Sequence, residues 1–467
     1  MKLKSFGGLS LILWLFVSPL FAQTTYPAND VATPRSGYYA FTNAKIYKDA
    51  KTILNSATLI IKQGKIETVG VNLPIPKDAI VIDCKGKSIY PSFIDIYSDY
   101  GMSQVQPSMT TYRSPSQMLS NTKGPYSWNQ ALKTEVLHVK NFAVNDARAK
   151  EYRKLGFGSV LSHQLDGISR GVGLLTTLAK EKENMVILKE KASAHFSFNK
   201  GSSTQEYPNS LMGSIALLRQ HFLDASWYKT KPSQEGLNLT LQAFNENANL
   251  PQIFEVSDKW SVFRANKIAS EFGVQYIFKA GGNEYQRIDE IKAAIHLAAE
   301  FNFKLVIVGG TDSWMIGDIL KENKVAVILA EPHSLPATDD DAVDQPYKTG
   351  AMLQKAGVLF TICQDGSDGN SQQRNLVFQA GTMVAYGLSK EEALQAITLN
   401  AAKILGIDSR TGSLENGKDA NIVISNGDIL DIKSSTVTHA FIQGRAINLD
   451  NKHSQLFERY KYKYSIK

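Results

Sequence analysis

The sequence predicts an α/β chain: a (β/α)8 TIM-like barrel carrying a small β-sandwich domain built from both chain ends. Three observations predict it. Short segments with two-residue alternation, broken by Gly and Pro turns, fill Tyr39–Asp83, and a similar pattern returns from Gly417 to Arg445. Between them, short apolar runs alternate with helical stretches, the rhythm of strand–helix units. At 467 residues and 43% hydrophobic content, the chain is long enough for one large domain and one smaller one.

Taken in order, residues 1–22 read as a secretory signal. Lys2 and Lys4 supply a positive start, Leu9 to Val17 an apolar core, and Ala22 a small residue before Gln23. The apolar run falls short of the roughly 20 residues that span a bilayer, so the expectation is a periplasmic or secreted protein with no membrane span after cleavage. Without a cysteine at the cleavage site, a lipoprotein is not expected. Two lysines leave with the signal, which takes the net charge from +7 to about +5. The remaining basic residues are scattered, which argues against nucleic acid as a partner. Cys84 and Cys363 sit in apolar strand patterns and read as buried free thiols.

Residues 23–36 read as a linker. The composite β domain is assigned to 37–90 and 408–450, and the barrel to 91–407. Candidate barrel strands end near Tyr97, His163, Lys189, Glu255, Lys279, Gly309, Ala330 and Cys363. A doubly wound open sheet is the rival, but no Gly-rich phosphate loop follows the first strand. Residues from about 196 to 250 form an insertion, rich in Ser, Asn and Gln and then helical from Leu211 to Trp227. In a barrel it belongs on the catalytic face. The run Arg459–Tyr464 reads as a solvated tail.

Pro91-Ser92-Phe93-Ile94-Asp95-Ile96-Tyr97-Ser98-Asp99, preceded by Ala57–Gly70 and Val81–Lys87, resembles the opening of amidohydrolase-superfamily proteins of the imidazolonepropionase-like branch. Ile397–Gly406 and Gly412–Asn421 are similar to that family's closing signature. The resemblance implies a barrel whose histidines at strands one, five and six, with an aspartate at strand eight, hold a divalent metal of the zinc type. That metal lowers the pKa of a bound water to about 7 for attack on an amide-like carbon. Here Tyr97 and Asp99 stand at the two strand-one histidine positions, and strands five and six end in Lys279 and Gly309. A glycine offers no side-chain ligand, and a lysine ammonium repels a dication unless deprotonated or carbamylated. Asp365 matches the strand-eight acid and is the candidate catalytic residue. The expectation is that the family's metal is lost.

Two arrangements of the vacated centre remain open. Lys279 can pair with a carboxylate, or Asp99, Glu255 and Asp365 can form an all-oxygen site suited to Mg²⁺ or Ca²⁺. Further cleft candidates are His163 after strand two, His195 after strand three and His333 after strand seven, each able to move protons if it lines the cleft. The run Asp339-Asp340-Asp341 reads as a solvated loop. Two functions follow from these residues. The first is an exported pseudoenzyme that binds a small-molecule ligand or acts as the partner subunit of an active homologue, in a homo- or heterodimer. The second is an active hydrolase of cyclic amides or small peptides with an atypical site.

Overall fold

The computed structural model describes residues 37–49, 51–105, 115–230, 236–256, 259–280, 292, 295, 305–310, 312–330, 332–336, 341–363, 375–450 and 452–466. Strands β1 (Tyr39–Tyr47), β2 (Ile53–Lys62), β3 (Lys65–Gly70), β4 (Ile80–Asp83) and β5 (Lys87–Pro91) come first. Near the other end lie β15 (Ile422–Asn426), β16 (Thr436–Ile442) and β17 (Arg445–Ile447). They share one hydrogen-bonded sheet in the order β17-β16-β15-β5-β1-β2-β3, with β4 alongside β1. The β domain expected from both chain ends is one hydrogen-bonded ladder, folded over so that Phe41 of β1 packs on Phe441 of β16, ring centres 4.9 Å apart. The join is β5 against β15, antiparallel, with Ile89 opposite Ile424.

The alternation read from the sequence has its physical counterpart in this sheet. Phe41, Leu59, Ile61, Ile89, Ile422 and Phe441 point into one apolar cluster, while Tyr90, Val423 and Ile442, alternating with them, pack into the larger core of the chain. Buried Asp419 receives ion pairs from Lys65 and, at 2.9 Å, from Arg410, which fastens the early strands to the late ones.

The middle of the chain supplies two further sheets. Strands β6 (Phe93–Ser98), β7 (Phe157–Ser162), β8 (Ser169–Thr177), β9 (Ile187–Ser197), β10 (Gln252–Val256) and β11 (Tyr276–Ala280) form one, in sequential order. Strands β12 (Val306–Gly309), β13 (Ala326–Ala330) and β14 (Phe360–Cys363) form the other, all parallel. In the first sheet β6, β7, β9, β10 and β11 run in the barrel sense. β8 runs against both neighbours.

That hairpin corrects the sequence reading. The third strand was expected to end near Lys189, but β9 continues to Ser197, so His195 lies within the strand rather than after it. All nine β8 residues are buried, which removes the alternation that would have marked the strand. Two glycines let it fit. A Cβ at Gly171 would lie 2.2 Å from the Val136 carbonyl, and one at Gly173 would lie 2.8 Å from His195 Nε2.

The insertion carries helices Leu211–Thr230 and Leu239–Glu246. Asn238 caps the second through the Leu241 N–H. Further on, Ser389 and Glu392 form a reciprocal capping box at the start of Lys390–Ala396. The expected solvated tail is instead a helix, Lys452–Lys463, with Phe457, Tyr460 and Tyr462 exposed.

Candidate functional site

The carboxyl ends of β6, β10 and β11 and the amino end of the antiparallel β8 bring four chemically active side chains together. Glu255 is the hub. Arg170 Nη1 donates to its Oε2, Lys279 Nζ donates to its Oε1 at 3.4 Å, and the Tyr97 hydroxyl donates to its Oε2 at 3.4 Å. The Lys279 ammonium also lies 4.1 Å from the centre of the Tyr97 ring, a cation–π contact. Arg170 and Lys279 are each only 6% exposed, so their charges require a partner nearby. Burial alone would push the Glu255 carboxyl up, but the Arg170 and Lys279 cations pull it down to about 2.

A second layer lies beneath. His163 and His195 are buried and stack face to face, ring centres 3.7 Å apart, with Tyr97 edge-on to His163 at 4.8 Å. Ser193 Oγ bonds His195 Nε2 at 2.7 Å, whereas both His163 ring nitrogens lack a hydrogen-bond partner. Burial holds both imidazoles well below their ordinary pKa, and the Arg170 charge adds to that shift. They are neutral rings in a packed layer, stacked rather than converging on a common point.

The remaining candidates scatter. Asp99 turns away from Lys279's partner and pairs with Arg148 at 2.6 Å, its side chain half exposed. It therefore does not join Glu255 in an oxygen-ligand set. His333 is exposed, bonded to Thr382 at 2.7 Å and set beside Tyr347. Gly309 ends β12 and carries no donor. Asp365, the proposed catalytic acid, and Asp339–Asp340 lie outside the described residues.

Arg170 was missed by the sequence reading. Its signal was present: it is the only charge in the run Ile168–Ala179, where an unpaired cation would be costly. Above the hub, Arg170, Glu255, Ser197, Asn199 and Ser210 line a cavity of about 660 Å³ under the insertion. Below it, Tyr97 and Lys279 line a second cavity of about 530 Å³ inside the barrel strands.

Comparison with known proteins decides the lineage. The amidohydrolase family profile matches residues 234–447. The imidazolonepropionase of Flavobacterium johnsoniae is 24% identical over 385 residues, 80% of this chain and 85% of that protein. Both matches bear out the resemblance to the amidohydrolase superfamily read from the sequence. A solved amidohydrolase from Thermotoga maritima superposes with a TM-score of 0.63 at 24% identity, covering 88% of this chain and 99% of that one. An adenosine deaminase from Xanthomonas campestris with bound zinc gives a TM-score of 0.50 at 12% identity, covering 93% and 99%. These superpositions show the amidohydrolase barrel-type fold with its β-rich extra domain.

Amidohydrolases typically use a divalent metal such as zinc. The side chains gathered at the hub do not fit one. Among the described residues no cluster of three His, Cys, Asp or Glu is placed to hold a metal ion. The carboxylate that is present already carries two cations, and a dication would have to displace them.

Proposed function

We propose that this amidohydrolase-superfamily chain is an exported pseudoenzyme, a protein that keeps the fold and has exchanged its metal centre for an internal ion-pair hub. It serves as a ligand-binding subunit or as the partner of a metal-competent homologue. The single observation that carries the reading is Glu255 held by Arg170, Lys279 and Tyr97 at the strand ends.

The chemistry supports it. Hydrolysis of an amide-like bond needs an activated water, and metal-bound water reaches a pKa of about 7 where bulk water does not. A carboxylate drawn down to about 2 is a poor base. The neutral imidazoles of His163 and His195 are sealed at 1% and 2% exposure. The cavity above the hub offers hydroxyls, an amide and a cation, a lining suited to recognition. Export rests on the Lys2–Ala22 signal and is checked by the mature amino terminus, expected at Gln23.

The test is turnover. Purified mature protein incubated with zinc, manganese or magnesium should hydrolyse neither cyclic amides nor dipeptides. Turnover that rises in proportion to added metal and disappears on chelation would overturn the proposal and restore an atypical hydrolase.

A further inference from the structure

Barrels of this kind normally fill their interior with layers of side chains. Here the interior is partly hollow. On β10, Phe254 and Val256 are buried, whereas inward-facing Ile253 is only half-buried. On β11, Tyr276 and Phe278 are buried and Ile277 is half-buried. On these two strands the inward isoleucines keep part of their surface open, while Leu161, Leu175, Val308 and Ile328 across the interior are buried. The space they border is the cavity of about 530 Å³, within the roughly 300–1,000 Å³ of small-molecule sites.

Its shape and chemistry are asymmetric. The walls are aliphatic, with Leu161, Leu175, Ile253, Ile277, Val308 and Ile328 contributed by six different strands. Tyr97 and Lys279 border its upper end, and their partner Glu255 lines the cavity under the insertion instead. The lower end reaches the amino ends of the strands. There Pro251, Gln252 and Gln275 border it, and so does Lys189. Gln275 and Lys189 are exposed. Lys189 makes no ion pair with any described residue, and Glu190 is not among the residues that line the cavity.

We infer that the barrel interior is a binding site for a medium-chain aliphatic monocarboxylate, admitted at the amino ends of the strands with its carboxylate on Lys189. The apolar walls fit an alkyl chain and offer no hydrogen-bond pattern for a sugar or nucleobase. From Gln275 to Lys279 along β11, four steps of about 3.3 Å give a depth of about 13 Å, the scale of an extended medium-length chain. The charge at the opening selects an anion over a neutral lipid. This site lies on the opposite side of the hub from the cavity under the insertion, so it stands whether or not that cavity is catalytic.

The test uses the mature full-length chain and titrates decanoate, dodecanoate and dodecanol by calorimetry at low ionic strength. Saturable one-to-one binding is expected. Each buried methylene is worth about fourfold in affinity, so dodecanoate should bind about tenfold or more tighter than decanoate. Dodecanol should bind about three- to fivefold weaker than dodecanoate, the contribution of one exposed ion pair. Lys189→Gln should erase that acid–alcohol difference, and at an exposed position it leaves the fold intact. Ile277→Phe, which pushes a ring into the path of the alkyl chain, should weaken all three ligands by about tenfold. If Ile277→Phe fails to fold, the Lys189→Gln comparison still decides. Absence of saturation, or an acid–alcohol difference unchanged in Lys189→Gln, would overturn the inference.

Discussion

Replacing Glu255 with Gln removes a negative charge shared by two buried cations. The magnitude follows from the structure. A carboxyl drawn from its usual 4.5 down to about 2 stabilises the fold by about 3 kcal/mol at neutral pH. Breaking a buried pair by deleting one partner costs about 3–5 kcal/mol, so about 3 kcal/mol is expected for Glu255→Gln in urea unfolding at pH 7. Because the folded pKa is depressed, this stabilisation is complete above about pH 4.5 and is lost as pH falls toward about 2. The gap between wild type and variant should therefore shrink to about 2 kcal/mol at pH 3.5. With about 2.1 cal/mol/K of unfolding entropy per residue over 467 residues, the neutral-pH difference appears as a Tm lower by about 3 °C. A variant within about 0.5 kcal/mol of wild type, or a gap identical at both pH values, would refute the ion-pair hub.

Other outcomes follow from neighbouring contacts. Lys279→Ala leaves Glu255 with Arg170 but removes the ring contact to Tyr97, and should lower stability by about 2–3 kcal/mol in the same urea assay. His221, buried against Thr134 at 2.9 Å, is pushed down to about 3 by burial. The unfolded chain binds its proton first, so His221 contributes stability above about pH 6.5 that is lost as pH falls below it. Between pH 7 and pH 5, His221→Leu should lose about 2 kcal/mol less than wild type, read as urea midpoints at the two pH values. Asp419→Asn should cost about 2 kcal/mol, and hydrogen exchange should rise in β3 and β15, since Lys65 and Arg410 lose their shared carboxylate.

What the sequence disclosed depended on how strongly each segment was patterned. The strands β10 to β14 are short apolar runs, four of them followed by a helix among the described residues, and they announced themselves. The β8–β9 hairpin did not, because a strand buried on both faces has no alternation, and nothing in the sequence marks its glycines as room for Val136 and His195. With β8 hidden, Arg170 was hidden too. The absence of histidines at strands one, five and six was plain from Tyr97, Lys279 and Gly309. Which carboxylate sits beside Lys279 was a matter of register. Glu255 and Lys279 are direct partners across β10 and β11, a pairing no sequence spacing specifies. Asp99 lies one residue beyond β6, where the chain is free to turn toward Arg148.

The central claim, an ion-pair hub in place of a metal centre, is tested most directly by counting metal in the protein as it is purified. Mature chain expressed in zinc-supplemented medium and passed over a desalting column should carry far less than one equivalent of zinc, manganese, magnesium or calcium. Lys279→Ala should carry no more and no less than wild type. Near-stoichiometric zinc in wild type that is lost in Lys279→Ala would mean that this lysine holds a metal centre, and would contradict the account.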